Sequence, residues 1–149
     1  MDTNGSLRSR ESEGNTPVSA DWGSNSEYGV MRDVLLGPPE TFHWMEDNAE
    51  WSSVVRDTLR RGGRFDKQVA MSQHREVVEA YEGAGVTVHS LEQNELTPYG
   101  VYARDSSFMT PHGAVICQLA NPRRRSEYAN CLRFYTSREI PIYDMVSAG

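Results

Sequence analysis

Apolar residues are sparse at the start of the chain and periodic after it. Between Met1 and Ser26 the sizeable apolar side chains beyond the initiator are Leu7, Val18 and Trp22, set among Ser, Gly, Asn, Thr, Asp and Glu. Such a segment buries too little apolar surface to offset chain entropy, so residues 1–26 are expected to form a disordered leader. Docking of Trp22 is the alternative at its end. Order is expected from about Tyr28, where Val30, Val34, Leu35 and Leu36 read as a strand stopped by Gly37-Pro38-Pro39. Residues 41–48 read as a loop. Trp51, Val54, Val55 and Leu59 then suit a helix over about 50–60, ended by Gly62-Gly63.

The strongest helical pattern runs over 66–82. Ala70, His74, Val77, Val78 and Tyr81 recur on one face of a 3.6-residue repeat, Asp66 stands at the cap, and Gly83 to Gly85 closes it. The alternation of Val86 to Leu91 predicts a strand. Residues 101–109 read as a further strand with Arg104-Asp105 inside it, and Pro111-His112-Gly113 turns it into a second strand, 114–119. A helix over about 123–136 follows, with Tyr128, Cys131, Leu132 and Tyr135 on one face. Residues 140–145 read as a last strand, Pro141 marking an edge or a start. The whole is an α/β chain, and from Val101 its order is strand, strand, helix, strand.

Composition narrows the functions open to it. The 149 residues suffice for one ordinary domain. Net charge is −6, which disfavours a nucleic-acid surface or a polybasic membrane anchor. No apolar run approaches the ~18–20 residues that span a bilayer. The leader has no apolar stretch of the secretory kind, and two cysteines make no disulfide framework, so a reduced, cytoplasmic setting is expected. Cys117 and Cys131 lack a CxxC spacing and clustered histidines, so no metal site is expected. Both read as packing cysteines, and His74 as a partly buried histidine of its helix face. The glycine-rich spots match no nucleotide-binding pattern.

Two local features carry candidate chemistry. Arg104-Asp105 places adjacent charges inside a strand-like stretch, and an inward carboxylate there needs a cation or donors. Asp105 then either receives a cationic ligand such as a guanidinium, or pairs with an internal arginine, or the strand ends at Ala103. Arg123-Arg124-Arg125 stands where a helix begins, against the macrodipole. Glu127 or a ligand carboxylate could offset it, and a solvated basic turn is the plain alternative.

The same residues resemble a known family. Glu27-Tyr-Gly-Val-Met-Arg-Asp-Val-Leu-Leu-Gly-Pro-Pro39 resembles the first strand of the guanidino-modifying enzymes of the pentein superfamily. Tyr102-Ala-Arg-Asp-Ser-Ser-Phe108, Gly113-Ala-Val-Ile116 and Pro122-Arg-Arg-Arg-Ser-Glu127 resemble, in order, their "RD…F…GAVI…RxxE" stretch, as does Gln73-His74 before Gly85 to Leu91. The superfamily includes dimethylarginine dimethylaminohydrolases, arginine deiminases and amidinotransferases. Arg104 departs from the dimethylaminohydrolases, which carry an acidic residue there and another near Tyr99.

The resemblance implies a partial α/β propeller of about two to three ββαβ-type blades over residues 27–149. It implies a hydrolase of the guanidino C–N bond of arginine or a methylated arginine, dimethylargininase-like, with deiminase or amidinotransferase as alternatives. A small-molecule guanidino substrate, no organic cofactor and no metal are implied. Asp105 would bind the substrate guanidinium and Arg124 its carboxylate, with Arg125 and Arg104 as neighbours. The nucleophilic cysteine and general-base histidine of the superfamily match no residue of this chain, so the chain alone is expected to be inactive. A non-catalytic arginine-binding half-module is the alternative. Removing 26 leader residues from 149 leaves 123, about half of a five-blade ring, whose open edges would favour pairing with another chain, a homo-oligomer included.

Overall fold

The computed structural model describes residues 22–26, 28–45, 49–50 and 52–147. Its strands fall into two sheets. In the first, β1 (Asp33–Leu36) pairs parallel with β2 (Thr87–Ser90), and the crossover carries two helices, α1 (Ser53–Arg60) and α2 (Lys67–Gly83). Each helix has a side-chain cap, as the sequence anticipates at Asp66. The Ser52 Oγ accepts the Val55 N–H at 3.4 Å, and the Asp66 Oδ1 accepts the Val69 N–H at 3.0 Å. Gly85, at φ +79°, turns the chain from α2 into β2.

In the second sheet a helical turn, α3 (Ala103–Ser106), leads into β3 (Ser107–Thr110), which forms an antiparallel hairpin with β4 (Gly113–Gln118). A crossover through α4 (Tyr128–Ser137) brings β5 (Ile142–Ser147) parallel to β4 on its other side. The fold is mixed α/β, and its sheets are not closed on themselves. No propeller ring is formed by the described residues.

One core joins the two sheets. Leu91, Ala103, Ala114, Ile116, Cys131, Phe134, Tyr135 and Ile140 are buried together, and Leu35, Met109 and Ile142 pack against them. The two sheets also meet at Gly37, where an added Cβ would strike the carbonyl oxygen of Gly100. Only a glycine admits that approach.

The structure corrects several expectations. The stretch 101–109 is not one strand. Its first half is a turn of helix that buries Ala103 and Ser106 and exposes Arg104 and Asp105. The period there is three to four and not two, so neither charge points into a core from a strand. The last helix starts at Tyr128 and not near Arg123; residues 122–127 form turns, which spare the three arginines a place in the positive first turn of a helix. The first strand starts at Asp33, and Tyr28 and Val30 are exposed. The last strand is shifted to 142–147, because Pro141 lies before it and offers its carbonyl to the Ala114 N–H at 2.9 Å. Val54 is exposed although the helical pattern puts it inside, and Trp51 lies outside the described residues.

Of the expected leader, residues 1–21 lie outside the described residues. Trp22 packs on the core, its ring 5.2 Å from His89, and the Ser24 N–H donates to Thr110 at 3.4 Å. His89 in turn bonds the Asp33 carboxylate at 2.9 Å. No helix among the described residues is long and apolar enough to cross a membrane.

Candidate functional site

The site is assembled from two turns. In the first, backbone bonds from Tyr102 N to Tyr99 O and from Asp105 N to Tyr102 O, each 3.0 Å, wind the chain so that Tyr102 and Asp105 share a side. In the second, Arg124 N bonds Asn121 O at 3.0 Å and Glu127 N bonds Arg124 O at 3.1 Å. Each turn uses spacings of three, and this brings Asp105 and Arg124 together although 19 positions separate them.

Arg124 is the centre of the cluster. Its Nε donates to Glu127 Oε1 at 2.9 Å and its Nη2 to Glu127 Oε2 at 2.8 Å, a bidentate pair. Its Nη1 donates to Asp105 Oδ2 at 2.9 Å. The guanidinium also lies over the Tyr102 ring, 5.3 Å from its centroid. Glu127 is the buried partner, at 2 % side-chain exposure, and its Oε2 also accepts the Ser106 hydroxyl at 3.4 Å. Asp105 is the open one, at 41 %.

Burial lowers the pKa of Arg124, but the hydrogen bonds and charges of Glu127 and Asp105 outweigh it and the net shift is upward. Burial pushes the Glu127 carboxyl up, and Arg124 and Ser106 offset only part of that. Two carboxylates around one guanidinium leave one negative charge uncompensated, and Asp105 is where it meets solvent.

Asp105 and Arg124 form part of the wall of a cleft of about 310 Å³, beside Trp44, Tyr99, Tyr102 and Asn121. Its aromatic side is braced from behind. Phe42 makes edge contacts with Trp44, Tyr99 and Tyr102 at 5.0, 5.6 and 6.3 Å, and the buried Tyr99 hydroxyl accepts the Met45 N–H at 3.0 Å. Among the described residues no group of three or more His, Cys, Asp or Glu is placed to hold a metal.

The four arginine and aspartate residues picked from the sequence are thus placed differently. Asp105 and Arg124 meet, in the internal-arginine arrangement that was one of the alternatives, and Glu127 is the anion that offsets the basic turn. Arg125 Nη2 bonds the Ala120 carbonyl at 3.3 Å, Arg104 is exposed, and neither walls the cleft. Cys131 is fully buried, and burial raises its thiol pKa against the pull of Ser107; Cys117 is half-buried and not in the core. The aromatic wall was missed. Its signal was available: Thr97-Pro98-Tyr99-Gly100 is buried although it reads as a loop, and Tyr99 and Tyr102 stand three apart.

This fold and site belong with enzymes of guanidino compounds. The sequence model of the family described as "N,N dimethylarginine dimethylhydrolase, eukaryotic" matches residues 38–148, and the chain belongs to that family. It is 25 % identical to the uncharacterized protein YkgA of Bacillus subtilis (strain 168) over 126 residues, 83 % of this chain and 42 % of that protein. Two solved structures share its fold. A dimethylarginine dimethylaminohydrolase in adduct with 4-chloro-2-hydroxymethylpyridine matches with TM-score 0.56, 18 % identity, and 80 % of this chain against 42 % of its own. The enzyme from Pseudomonas aeruginosa, as a cysteine-to-serine variant complexed with citrulline, matches with TM-score 0.58, 18 % identity, and 80 % against 43 %. The chain therefore spans less than half the length of these relatives.

Proposed function

We propose that residues 27–149 are the N-terminal portion of a hydrolase that cleaves the guanidino C–N bond of arginine or a methylated arginine. The nucleophilic cysteine and general-base histidine lie in the part of the fold that this chain does not contain, and that part completes the α/β propeller. Asp105 receives the substrate guanidinium. The observation that carries this reading is the open carboxylate of Asp105 on an aromatic cleft, with one negative charge left over after Arg124 is counted. Hydrogen-bond donors arrayed in a plane suit that carboxylate, and the rings of Trp44, Tyr99 and Tyr102 suit the flat face of the same cation.

Arg124 and Glu127 are positioning residues. Glu127 grips the Nε edge of Arg124, so that Nη1 holds one oxygen of Asp105 and the other remains for the ligand. Deiminase and amidinotransferase chemistry begin from the same guanidinium complex. A cleft built wholly within this chain also favours a second reading, a half-module that binds a guanidine and does not turn it over.

The test is calorimetry and turnover with the purified chain. Methylguanidine is expected to bind, and Asp105→Asn to weaken binding by about tenfold or more. No arginine or dimethylarginine should be consumed. Equal binding by Asp105→Asn removes the role given to Asp105, and turnover by this chain overturns the assignment of the nucleophile to a missing part.

A further inference from the structure

Resting on the reading of Asp105 as a guanidinium receptor, we infer that this cleft recognises only the guanidinium end of its ligand and selects against a carboxylate close to it. Arg124 is the one cation in the wall of the cleft, and its hydrogen bonds are already assigned. A guanidinium has five N–H groups. Nε and Nη2 go to Glu127 and Nη1 goes to Asp105, at 2.9, 2.8 and 2.9 Å. Its face is taken by Tyr102. A ligand carboxylate arriving at the two remaining N–H groups would be the third anion around a single cation, beside Asp105 on the same wall.

The rest of the wall offers nothing to offset this. Trp44, Tyr99, Tyr102 and Asn121 are neutral, and so are the others that face the cavity. Arg125 turns to the Ala120 carbonyl, and Arg104 lies outside the cleft. The role that resemblance gave Arg124, meeting the carboxylate of an amino-acid substrate, is therefore replaced in this structure by holding Asp105. If the complete protein acts on an α-amino acid, the cation for its carboxylate comes from elsewhere in the molecule. The ligand class of this cleft is an alkylguanidinium with no anionic group within reach of Arg124.

The wild-type chain tests this without any substitution. Isothermal titration at low ionic strength compares n-butylguanidine, arginine and 4-guanidinobutanoate. The first two carry the same net charge, so general attraction to an acidic protein does not separate them. Butylguanidine should bind at least as tightly as arginine, and about tenfold or more tightly than 4-guanidinobutanoate. The gap should narrow as salt rises, because it is a repulsion between partly exposed charges. Equal or tighter binding of 4-guanidinobutanoate overturns the inference while leaving Asp105 as the guanidinium receptor. Absence of binding by all three overturns that receptor role and the inference with it.

Discussion

Replacing Arg124 by methionine isolates the physics of the cluster from any question of ligand. The substitution keeps an apolar stem of similar reach and removes the guanidinium. Glu127, at 2 % exposure, then loses both of its charged partners' bonds and keeps only the long one from Ser106 at 3.4 Å. Breaking a buried pair on one side typically costs about 3–5 kcal/mol, because the remaining charge has no water and no partner. Asp105 adds little, since at 41 % exposure it rehydrates and an exposed pair is worth about 0–1 kcal/mol. The expected loss is about 3–4 kcal/mol, a fall in Tm of about 10–15 °C for a domain of this size. Removing both partners, as in Arg124→Met with Glu127→Leu, should return stability to within about 1 kcal/mol of wild type.

The loss must also depend on pH. Burial raises the folded-state pKa of Glu127 above its usual 4.5, and Arg124 is the main force holding it down. For a carboxyl shifted upward, the folded state binds its proton more tightly than the unfolded state. The stability this contributes is fully present below the unfolded value and is lost as pH rises through the folded one. Without Arg124 the shift is larger, so the deficit of Arg124→Met should be small near pH 4.5 and reach its full size toward pH 7–8. Urea unfolding of the wild type, the single and the double variant across that range measures it. A deficit under about 1 kcal/mol at pH 7, or a deficit of the same size at every pH, refutes the account of Glu127 as a buried anion sustained by Arg124.

Two further outcomes follow from the core. Burial raises the Cys131 thiol above its usual 9.0 and the Tyr135 phenol above 10.0, so both favour a neutral folded state, and stability should decline as pH rises through their folded values; Cys131→Ala should flatten that decline in denaturation curves, and an unchanged slope removes Cys131 as its source. Trp22→Ala should lower stability by about 1–2 kcal/mol, read from thermal unfolding by circular dichroism, because its ring packs against His89 and the core; no change in Tm would mean that this contact carries no stability.

What the sequence made legible is what local spacing controls. α2 appears within one residue of the 66–82 expected from Ala70, His74, Val78 and Tyr81, and the hairpin falls at Pro111-His112-Gly113 as its turn residues require. The errors sit where tertiary contacts overrule local pattern. Phe108 and Met109 read as the end of a strand, and this extended the strand backward through Ala103. The true register is set by Ala103 and Ser106, which are buried three apart under a helical turn. Val54 fits the apolar face of α1, but that face meets the cleft and not a core, and the valine is left exposed. Asp105, Arg124 and Glu127 were each visible as charges in awkward places. Their mutual geometry was not, because it depends on two loops meeting across the fold.

That geometry explains why the same residues can support both readings first given to them. Asp105 paired with an internal arginine is an ordinary structural ion pair, and such pairs often have no function. Here the pairing is unequal. Arg124 gives two of its three bonds to the buried Glu127 and one to the open Asp105. Glu127 alone would balance the arginine, so the charge of Asp105 remains available, and the bond from Nη1 fixes its orientation without neutralising it. A structural pair would be better served by placing the second carboxylate out of reach. Holding it at the mouth of an aromatic cleft costs stability through repulsion with Glu127, which appears as part of the upward shift of that carboxyl. Stability sacrificed at a cleft, by residues that could have been paired one to one, is the physical mark of a binding site.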